Sequence, residues 1–282
     1  MNNNDSRWLF ITAGLGSENF KEAALRLVKQ AKSFEVFDHC HAVLNDEILD
    51  ICPKISDWYT WDELFNLKGF GWYVWKSTLG LAALQGRWGK YDGVMYLDSG
   101  CEMFLSSASK KRLYRYIENA EKDGATLFTI PTPEYLFTKK LLFENFKLTE
   151  DMKVSNQFQS GSWLMYGSKG KEILRVWDDY VWKNPNFTDE TRSPGGEDER
   201  FIINRYDQSV FSLVVKTFGY KSIGEIPPGG KVRLRAKIRG YIFPFWWSRN
   251  RNGRTTIPKY LTSIGRITVE ISSILNRFLK NP

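Results

Sequence analysis

A short apolar run that ends in an acidic residue is the feature that most constrains the fold. The run is Val94–Leu97, and Asp98, Ser99 and Gly100 follow it directly. A continuous apolar run of this length predicts a buried strand of a parallel sheet, and Ser and Gly after it favour a turn. In open α/β sheets, ligands bind beyond the carboxyl ends of such strands. We therefore expect Asp98, with Glu102 four residues later, to face the hydroxyl groups of a ligand or a bound cation.

The N-terminal region predicts an α/β domain. Trp8–Thr12 has the pattern of a strand, a glycine-containing loop follows, and residues 17–31 carry apolar side chains at helical spacing. Phe34–Phe37 is predicted to be the second strand. Strand, glycine loop, helix and strand is the usual opening of a nucleotide-binding α/β domain. The pair Gly14-x-Gly16 lacks the third glycine of the dinucleotide-binding fingerprint, so a tight turn before the helix explains it better.

A lysine near the start of a helix is the second candidate. Residues 69–76 are Gly-Phe-Gly-Trp-Tyr-Val-Trp-Lys, and Trp75 begins the buried face of a helix predicted to run to about Leu84. A cation at a helix start is unfavourable for the helix dipole. Lys76 therefore suits a diphosphate, which the helix N–H groups and the ammonium would bind together. A solvated lysine is the alternative.

A third candidate lies near the end of the region with mixed α/β character. Phe201–Phe218 is predicted to be helical, with apolar residues at helical spacing behind Asp207. An acidic residue there can cap the helix, because carboxylates are favoured at helix N-termini. It can also face a cleft.

Three motifs in this order resemble those of a bacterial family of polysaccharide-type glycosyltransferases with the GT-A fold. That family shows Gly-x-Gly-[Tyr/Trp]-x-x-Trp-Lys, then Tyr-Leu-Asp-[Ala/Ser]-Gly-Cys, then a helix with Asp-Gln-Ser. Here the motifs are Gly69–Lys76, Tyr96–Cys101 and Asp207–Ser209, within a region of resemblance from residue 11 to 218. The resemblance implies a GT-A-like nucleotide-diphospho-sugar transferase fold, α/β with a mostly parallel central sheet flanked by helices. It also implies an enzyme, a hexosyltransferase-like glycosyltransferase that uses a nucleoside-diphosphate-sugar donor.

The resemblance implies roles for individual residues. The expected catalytic residues are Asp98 and Asp207. The expected donor-binding residues are Thr12, Ala13, Gly14, Trp75, Lys76, Ser99, Gly100 and Arg205. The expected acceptor- or sugar-binding residues are Gln159, Ser160 and Gln208; capping of the strand that follows is the alternative for Gln159 and Ser160. In an inverting mechanism Asp207 would be the general base on the attacking hydroxyl, whereas in a retaining one it would position or stabilise charge.

Metal dependence stays open at this point. Many metal-dependent GT-A enzymes have a second Asp in the strand-end motif and a late histidine ligand. Here the motif is Asp98-Ser99-Gly100, and no histidine follows His41. A Mn²⁺ or Mg²⁺ ion would be held by Asp98, Glu102, the diphosphate and water, which are hard oxygen ligands. Alternatively, Lys76, Arg205 or cations of the C-terminal tail neutralise the leaving diphosphate.

Positive charge is concentrated in the C-terminal tail. We expect a catalytic domain over residues 1–226 and a basic aromatic extension over 227–282. Residues 231–282 contain twelve Lys or Arg and one acid, although the whole chain has a net charge of only +8. Aromatic residues beside cations, with a basic amphipathic helix predicted over 258–278, are typical of contact with an anionic membrane surface. Packing of that helix on the domain is the alternative.

The remaining expectations concern compartment and partners. The polar N-terminus, three cysteines and the lack of a long apolar run predict a cytoplasmic protein that is either soluble or, through its basic tail, peripheral at the inner face of the cell membrane. The expected acceptor is a glycan or a polyprenyl- or other lipid-linked sugar of surface polysaccharide biosynthesis, such as lipopolysaccharide or capsule. Nucleic acid is not an expected partner. A basic nucleic-acid-binding protein, with steeply salt-dependent binding, is one rival interpretation, and an inactive transferase-like partner subunit is another.

Overall fold

The structure, a computed structural model, describes residues 6–146, 148–229, 242–251 and 253–254. Its strands, in chain order, are β1 (Trp8–Gly14), β2 (His39–Leu44), β3 (Gly93–Leu97), β4 (Glu102–Met103), β5 (Ala125–Pro133), β6 (Asn156–Tyr166) and β7 (Phe245–Trp246). Its longer helices are α1 (Glu18–Lys32), α6 (Trp75–Leu84), α7 (Ser107–Asp123), α11 (Gly167–Val181) and α12 (Asp207–Thr217). The short helices are α2 (Ile48–Ile51), α3 (Ile55–Trp58), α4 (Trp61–Asn66), α5 (Gly69–Trp72), α8 (Glu134–Phe137), α9 (Lys140–Phe146), α10 (Glu150–Val154) and a 3-10 turn (Pro185–Phe187).

A five-stranded sheet in the order β2-β1-β3-β6-β5 forms the centre of the described structure. The strand β1 is parallel to both β2 and β3, β6 is antiparallel to β3, and β5 is antiparallel to β6. All strands of this five-stranded sheet except β6 therefore point the same way. The predicted fold class, an α/β fold with a mostly parallel central sheet, is confirmed.

Helices cover both faces of this sheet. Along β1, Leu9 and Ile11 join one apolar cluster with side chains of α6, α11 and α12. Phe10 joins a second cluster with side chains of α1 and α7. Because both faces are covered, β1 is buried along its whole length, which explains its continuous apolar sequence.

The segment after α1 corrects one prediction. Phe34–Phe37 was expected to be a strand, but the second strand is β2, which begins at His39. Glu35 has a φ of +53°, which is incompatible with an extended strand. The N–H of Trp8 donates to Asp38 Oδ2 at 2.7 Å, and the N–H of Asp38 donates to the carbonyl of Trp8 at 2.9 Å. The aromatic segment is therefore the turn that leads from α1 back to the sheet.

A second correction concerns the helix predicted over Phe201–Phe218. The helix α12 begins only at Asp207, because Tyr206 before it has a φ of +55°. Other boundaries agree with the sequence pattern: α6 runs to Leu84, and Gly124, with a φ of +89°, ends α7.

The described part of the C-terminal tail packs on the domain. The strand β7 pairs antiparallel with β4, directly after the Asp98 loop, and Phe245 is fully buried. Trp247 Nε1 donates to Ser162 Oγ of β6 at 3.0 Å. The domain boundary at 227 stays a prediction, and the predicted helix over 258–278 lies outside the described residues. No helix in the described ranges is long and apolar enough to cross a bilayer.

Candidate active site

Asp98 stands at the carboxyl end of β3, as the sequence predicts. Every residue of β3 is buried, but the Asp98 side chain is 41% exposed. Its backbone N–H donates to the carbonyl of Gly161 at 2.8 Å, so the pairing of β3 with β6 continues to this residue. Tyr96, two residues earlier and on the same face of the strand, donates its hydroxyl to Asp98 Oδ1 at 2.8 Å.

Gly161 leaves the space that the Asp98 carboxylate occupies. A Cβ at Gly161 would lie 2.3 Å from Asp98 Oδ2, which is closer than any real contact of that kind. A larger residue here would displace the carboxylate. The orientation of Asp98 therefore depends on two strands, its own and β6.

The glycine-aromatic motif forms a left-handed turn. The φ angles are +64° at Gly69, +55° at Phe70, +81° at Gly71, +57° at Trp72 and +63° at Tyr73. Each non-glycine residue in this conformation costs about 1–2 kcal/mol. Such strain is concentrated at functional sites, where the surrounding structure enforces it. The turn leads directly into α6 and fixes how that helix begins.

Lys76, in the first turn of α6, carries a buried positive charge between two carboxylates. Its Nζ lies 2.9 Å from Asp98 Oδ1 and 3.3 Å from Asp207 Oδ2, and its side chain is only 3% exposed. The Nζ also lies over the ring of Tyr73, 4.7 Å from its centroid. Burial alone would lower the pKa of Lys76, but the charges of Asp207 and Asp98 outweigh it and raise the pKa. Lys76 is thus protonated at any physiological pH, and the solvated alternative is excluded.

Asp207, the first residue of α12, is the buried member of this trio. Its side chain is 4% exposed, and Ser160 of β6 hydrogen-bonds to it. Burial raises the pKa of Asp207 to about 6; Lys76 and Ser160 act against that rise, and Asp98 adds to it. Tyr206, just before it, stacks on Trp72 of the left-handed turn with ring centroids 5.2 Å apart. The start of α12 is therefore attached to the segment that positions Lys76.

Three motifs that lie far apart in the sequence thus meet at one ammonium group. The motif at residues 69–76 supplies the cation, 96–101 supplies the exposed carboxylate, and 207–209 supplies the buried carboxylate. All three meet at the carboxyl end of the parallel strands. This is the edge at which open α/β sheets bind ligands.

The first group of predicted donor-binding residues, expected in a glycine loop, lies instead in the last three residues of β1. Thr12 is fully buried, and its Oγ1 has no hydrogen-bond partner among the described residues. Ala13 is also buried. At Gly14 a Cβ would lie 2.5 Å from the carbonyl of Phe20, so this glycine is required for packing α1 on the sheet.

Three further predicted donor-binding residues lie in two segments: Ser99 and Gly100 in the loop after Asp98, and Trp75 beside the left-handed turn. The carbonyl of Ser99 accepts from Arg26 Nη2 at 2.8 Å, and that of Gly100 accepts from the N–H of Asn250 at 2.9 Å. Trp75 is nearly buried and donates its Nε1 to the carbonyl of Gly69 at 3.0 Å. Trp75 therefore supports the left-handed turn.

The predicted acceptor-binding residues differ in how they are engaged. Gln159 Oε1 accepts from the N–H of Gly161 at 3.1 Å, whereas Ser160 bonds to Asp207. Gln208 donates to Gln157 Oε1 at 2.9 Å inside a buried network. Glu134 is the centre of this network and accepts hydrogen bonds from Thr138, Gln157, Ser212 and Lys216. Gln208 thus has a structural bond in addition to any contact with a ligand.

The described residues do not provide a full set of ligands for a metal ion. Glu102 is fully buried, and its charge raises the pKa of the buried Arg26 guanidinium against the larger, lowering effect of burial. The ammonium group of Lys76 already occupies the place between Asp98 and Asp207 that a metal ion would take. The described residues contain no group of three or more His, Cys, Asp or Glu side chains suited to a metal. These residues fit a divalent ion poorly, and the metal site at Asp98 and Glu102 stays a prediction.

Sequence reasoning missed several residues of the site. Tyr96 and Tyr73 contact the trio, and Gly161 makes room for it. Tyr96 could have been found, because residues two apart on a strand share a face. The left-handed turn gave no comparable signal, since aromatic residues have no intrinsic preference for positive φ.

Comparisons with known proteins add little to this description. No protein-family model and no curated protein sequence matches the chain. Among solved structures, the apo form of mouse xyloside xylosyltransferase 1 is similar, at 11% sequence identity and a TM-score of 0.43, over 89% of this chain and 100% of that one. At this identity and score, the likeness decides neither the fold nor the activity of this chain.

Proposed function

We propose that the chain is a glycosyltransferase that moves a sugar from a nucleoside-diphosphate-sugar donor to a hydroxyl group of a glycan or lipid-linked acceptor in surface polysaccharide biosynthesis. One observation carries the proposal: Lys76 lies between Asp98 and Asp207 at the ligand-binding edge of the sheet. The motifs that resemble the transferase family supply these three residues. A protonated lysine that is held beside an exposed carboxylate suits a ligand with both phosphates and hydroxyl groups.

The side chains of Asp98 and Asp207 differ in solvent exposure, and this difference indicates different roles. Asp98, 41% exposed, is placed to accept hydrogen bonds from the hydroxyl groups of the donor. Asp207, 4% exposed, reaches a substrate only through the groups that cover it. We therefore assign Asp98 to the ligand and Asp207 to the orientation of Lys76. The general-base role of Asp207 stays a prediction.

The transfer itself needs two things from the protein. The acceptor oxygen forms a bond to the anomeric carbon while the bond from that carbon to the diphosphate oxygen breaks, and the diphosphate leaves with the electron pair. The proton of the acceptor hydroxyl passes to a carboxylate or to water. Catalysis would come from orienting the acceptor and from stabilising the negative charge of the leaving diphosphate.

The test is turnover of nucleotide-sugars by the purified full chain. A panel of donors with different bases and sugars would be assayed for release of the nucleoside diphosphate, with and without Mn²⁺, by the wild type, Asp98→Asn and Lys76→Met. We expect one donor to be hydrolysed slowly and both variants to lose at least about tenfold in rate, the size expected for one charged hydrogen bond.

Asp179→Asn is the matched control, because Asp179 is 60% exposed on α11 and pairs only with Arg175 among the described residues. It should retain full turnover. Absence of both turnover and binding across the panel, with tight and salt-sensitive binding of nucleic acid instead, would refute the transferase proposal. Binding without turnover, lost in Asp98→Asn, would fit a transferase-like partner subunit.

A further inference from the structure

Three arginines near the candidate site form no salt bridge within the described part of the chain. They are Arg205, Arg249 and Arg251. Clustered cations repel one another and raise the local concentration of anions. Their arrangement therefore indicates an anionic ligand.

Arg205 approaches from the side of α12. It lies two residues before Asp207, and its guanidinium carbon is 3.8 Å from the ring centroid of Phe137. Its Nη1 donates to Thr132 Oγ1 at 3.3 Å. These contacts hold the half-buried guanidinium in place and leave its other N–H groups for a ligand. Burial lowers the pKa of Arg205, the charge of Arg249 lowers it further, and the charge of Glu134 acts in the opposite direction.

Arg249 comes from the C-terminal tail and is fixed by its backbone. The residues on either side of it both donate to the carbonyl of Gly100 at 2.9 Å, Ser248 through its hydroxyl and Asn250 through its N–H. A Cβ at Gly100 would lie 3.5 Å from the Cα of Arg249. Arg249 has a φ of +56°, which is strained for a residue with a side chain. The tail thus holds this exposed arginine against the loop that carries Asp98.

Arg251, also from the C-terminal tail, lies beside the start of α1. Its guanidinium carbon lies 5.5 Å from the ring centroid of Phe20, in the first turn of α1. Its charge also lowers the pKa of Tyr73, against the larger, raising effect of burial. Arg251 therefore lies at the start of α1, with Tyr73 within reach of its charge.

We propose that Arg205, Arg249 and Arg251 bind the diphosphate of the donor, so that the C-terminal tail supplies the positive charge that a divalent metal ion would otherwise supply. This inference rests on the proposed function and names the groups that neutralise the leaving diphosphate. Guanidinium groups suit the task, because each offers several N–H donors in a planar fork that matches two phosphate oxygens. Lys76, between Asp98 and Asp207, would add a further positive charge.

The test measures binding to the full chain by titration calorimetry. The probes are inorganic pyrophosphate and a set of nucleoside diphosphates, each in EDTA and again with Mn²⁺. We expect binding in EDTA, weakened about tenfold or more in Arg249→Ala and in Arg251→Ala, since a hydrogen bond to a charged group contributes about 1.5–3 kcal/mol. Arg249→Lys, which keeps the charge without the fork, should lose less.

Arg87→Ala is the matched control, because Arg87 is exposed, lies before β3 at the other end of the sheet and pairs with Asp50. It should bind as the wild type does. Thermal melting of each variant checks folding, and Arg251→Ala decides the question if Arg249→Ala does not fold. Wild-type affinity in Arg249→Ala and Arg251→Ala, binding that vanishes in EDTA, or no binding of any probe would each overturn the inference.

The outcomes separate this inference from the proposed function. Arginine-dependent binding of nucleoside diphosphates with no turnover of any nucleotide-sugar would support the arginine site and count against the transferase. Nucleotide-sugar turnover that Arg249→Ala and Arg251→Ala leave unchanged would support the transferase and overturn the arginine site.

Discussion

Lys76 has two carboxylate neighbours of very different exposure, and this asymmetry determines what each acid can do. Asp98 is open on one side, whereas Asp207 is enclosed by Ser160, Lys76 and the start of α12. A buried carboxylate beside a protonated lysine is stable only as a pair, because an isolated buried charge is costly. In the proposed function Asp207 is therefore a positioning residue, which would act on the ligand through the orientation of Lys76.

This role predicts a pH dependence. Because burial raises the pKa of Asp207 to about 6, the carboxyl group is protonated below that pH and no longer holds Lys76 by charge. We expect kcat/KM for the nucleotide-sugar to rise with pH through about 6 in the wild type. Asp207→Asn should abolish this rise of kcat/KM with pH and should raise KM more than it lowers kcat. Asp179→Asn, the exposed control, should show the same rise as the wild type.

The pH dependence of the free energy of unfolding reports the ionisation of Asp207 independently of activity. A carboxyl group whose pKa is higher in the folded than in the unfolded protein favours folding when protonated. The free energy of unfolding should therefore fall as pH rises from 3.8, the ordinary value, to about 6, and Asp207→Asn should lack this fall. Urea unfolding at pH 4 and pH 7 measures it. An equal fall in the variant would show that another group is responsible.

At the scale of elements, the sequence predicted the regular parts and missed the strained ones. The strand β3 and the helix α6 follow directly from apolar pattern, because both are buried by the sheet and its helices. Phe34–Phe37 has the composition of a strand, but hydrogen bonds between Trp8 and Asp38 place the next strand after it. Tertiary contacts override local preference there.

The candidate site could be predicted in part for the same reason. The strand end identifies Asp98 by itself, whereas Lys76 and Asp207 were found through motif resemblance. The position of Arg249 could not be predicted, because it depends on hydrogen bonds to Gly100 across about 150 residues of chain. No local pattern in the sequence reports such a contact.

The left-handed turn at residues 69–73 leads to a test at this scale. Gly71 has a φ of +81°, and a Cβ there would lie 2.7 Å from Leu64 Cδ2. We expect Gly71→Ala to lower the free energy of unfolding by about 1–3 kcal/mol and to weaken donor binding, because Lys76 follows the turn. Urea unfolding and calorimetry measure the two effects.

Gly219→Ala is a control that separates the effect of backbone strain from an effect on the position of Lys76. Gly219 also has a positive φ, +73°, but a Cβ there would meet no atom within 4 Å. This control should lose about 1 kcal/mol of stability and bind the donor normally. If Gly71→Ala also binds normally, the turn does not position Lys76.

At the scale of the whole molecule, the C-terminal tail has two parts with different expected tasks. Residues 242–251 pack on the domain through β7 and bring Arg249 to the Asp98 loop. Residues 255–282 contain four of the basic residues and all of the predicted amphipathic helix. In the proposed function the first part would complete the site, and the second would bring the protein to an anionic membrane that bears the acceptor.

Two truncations separate these tasks. A chain that ends at residue 254 keeps β7, so we expect it to melt as the full chain does and to bind nucleoside diphosphates normally. It should lose sedimentation with vesicles that contain anionic lipid. A chain that ends at residue 229 also lacks Phe245, which is fully buried against Phe128 with ring centroids 5.2 Å apart. It should be less stable by at least about 3 kcal/mol, the lower value for removal of a buried Phe side chain.

The comparison between the two truncated chains is what decides. If the chain that ends at 254 binds anionic vesicles as tightly as the full chain, the membrane role of residues 255–282 is wrong, and the alternative, packing on the domain, is favoured. If it loses nucleoside-diphosphate binding as well, the arginines at 249 and 251 are insufficient without the rest of the tail. Retained diphosphate binding with lost vesicle binding would place ligand binding and membrane attachment in adjacent but separable segments of the tail.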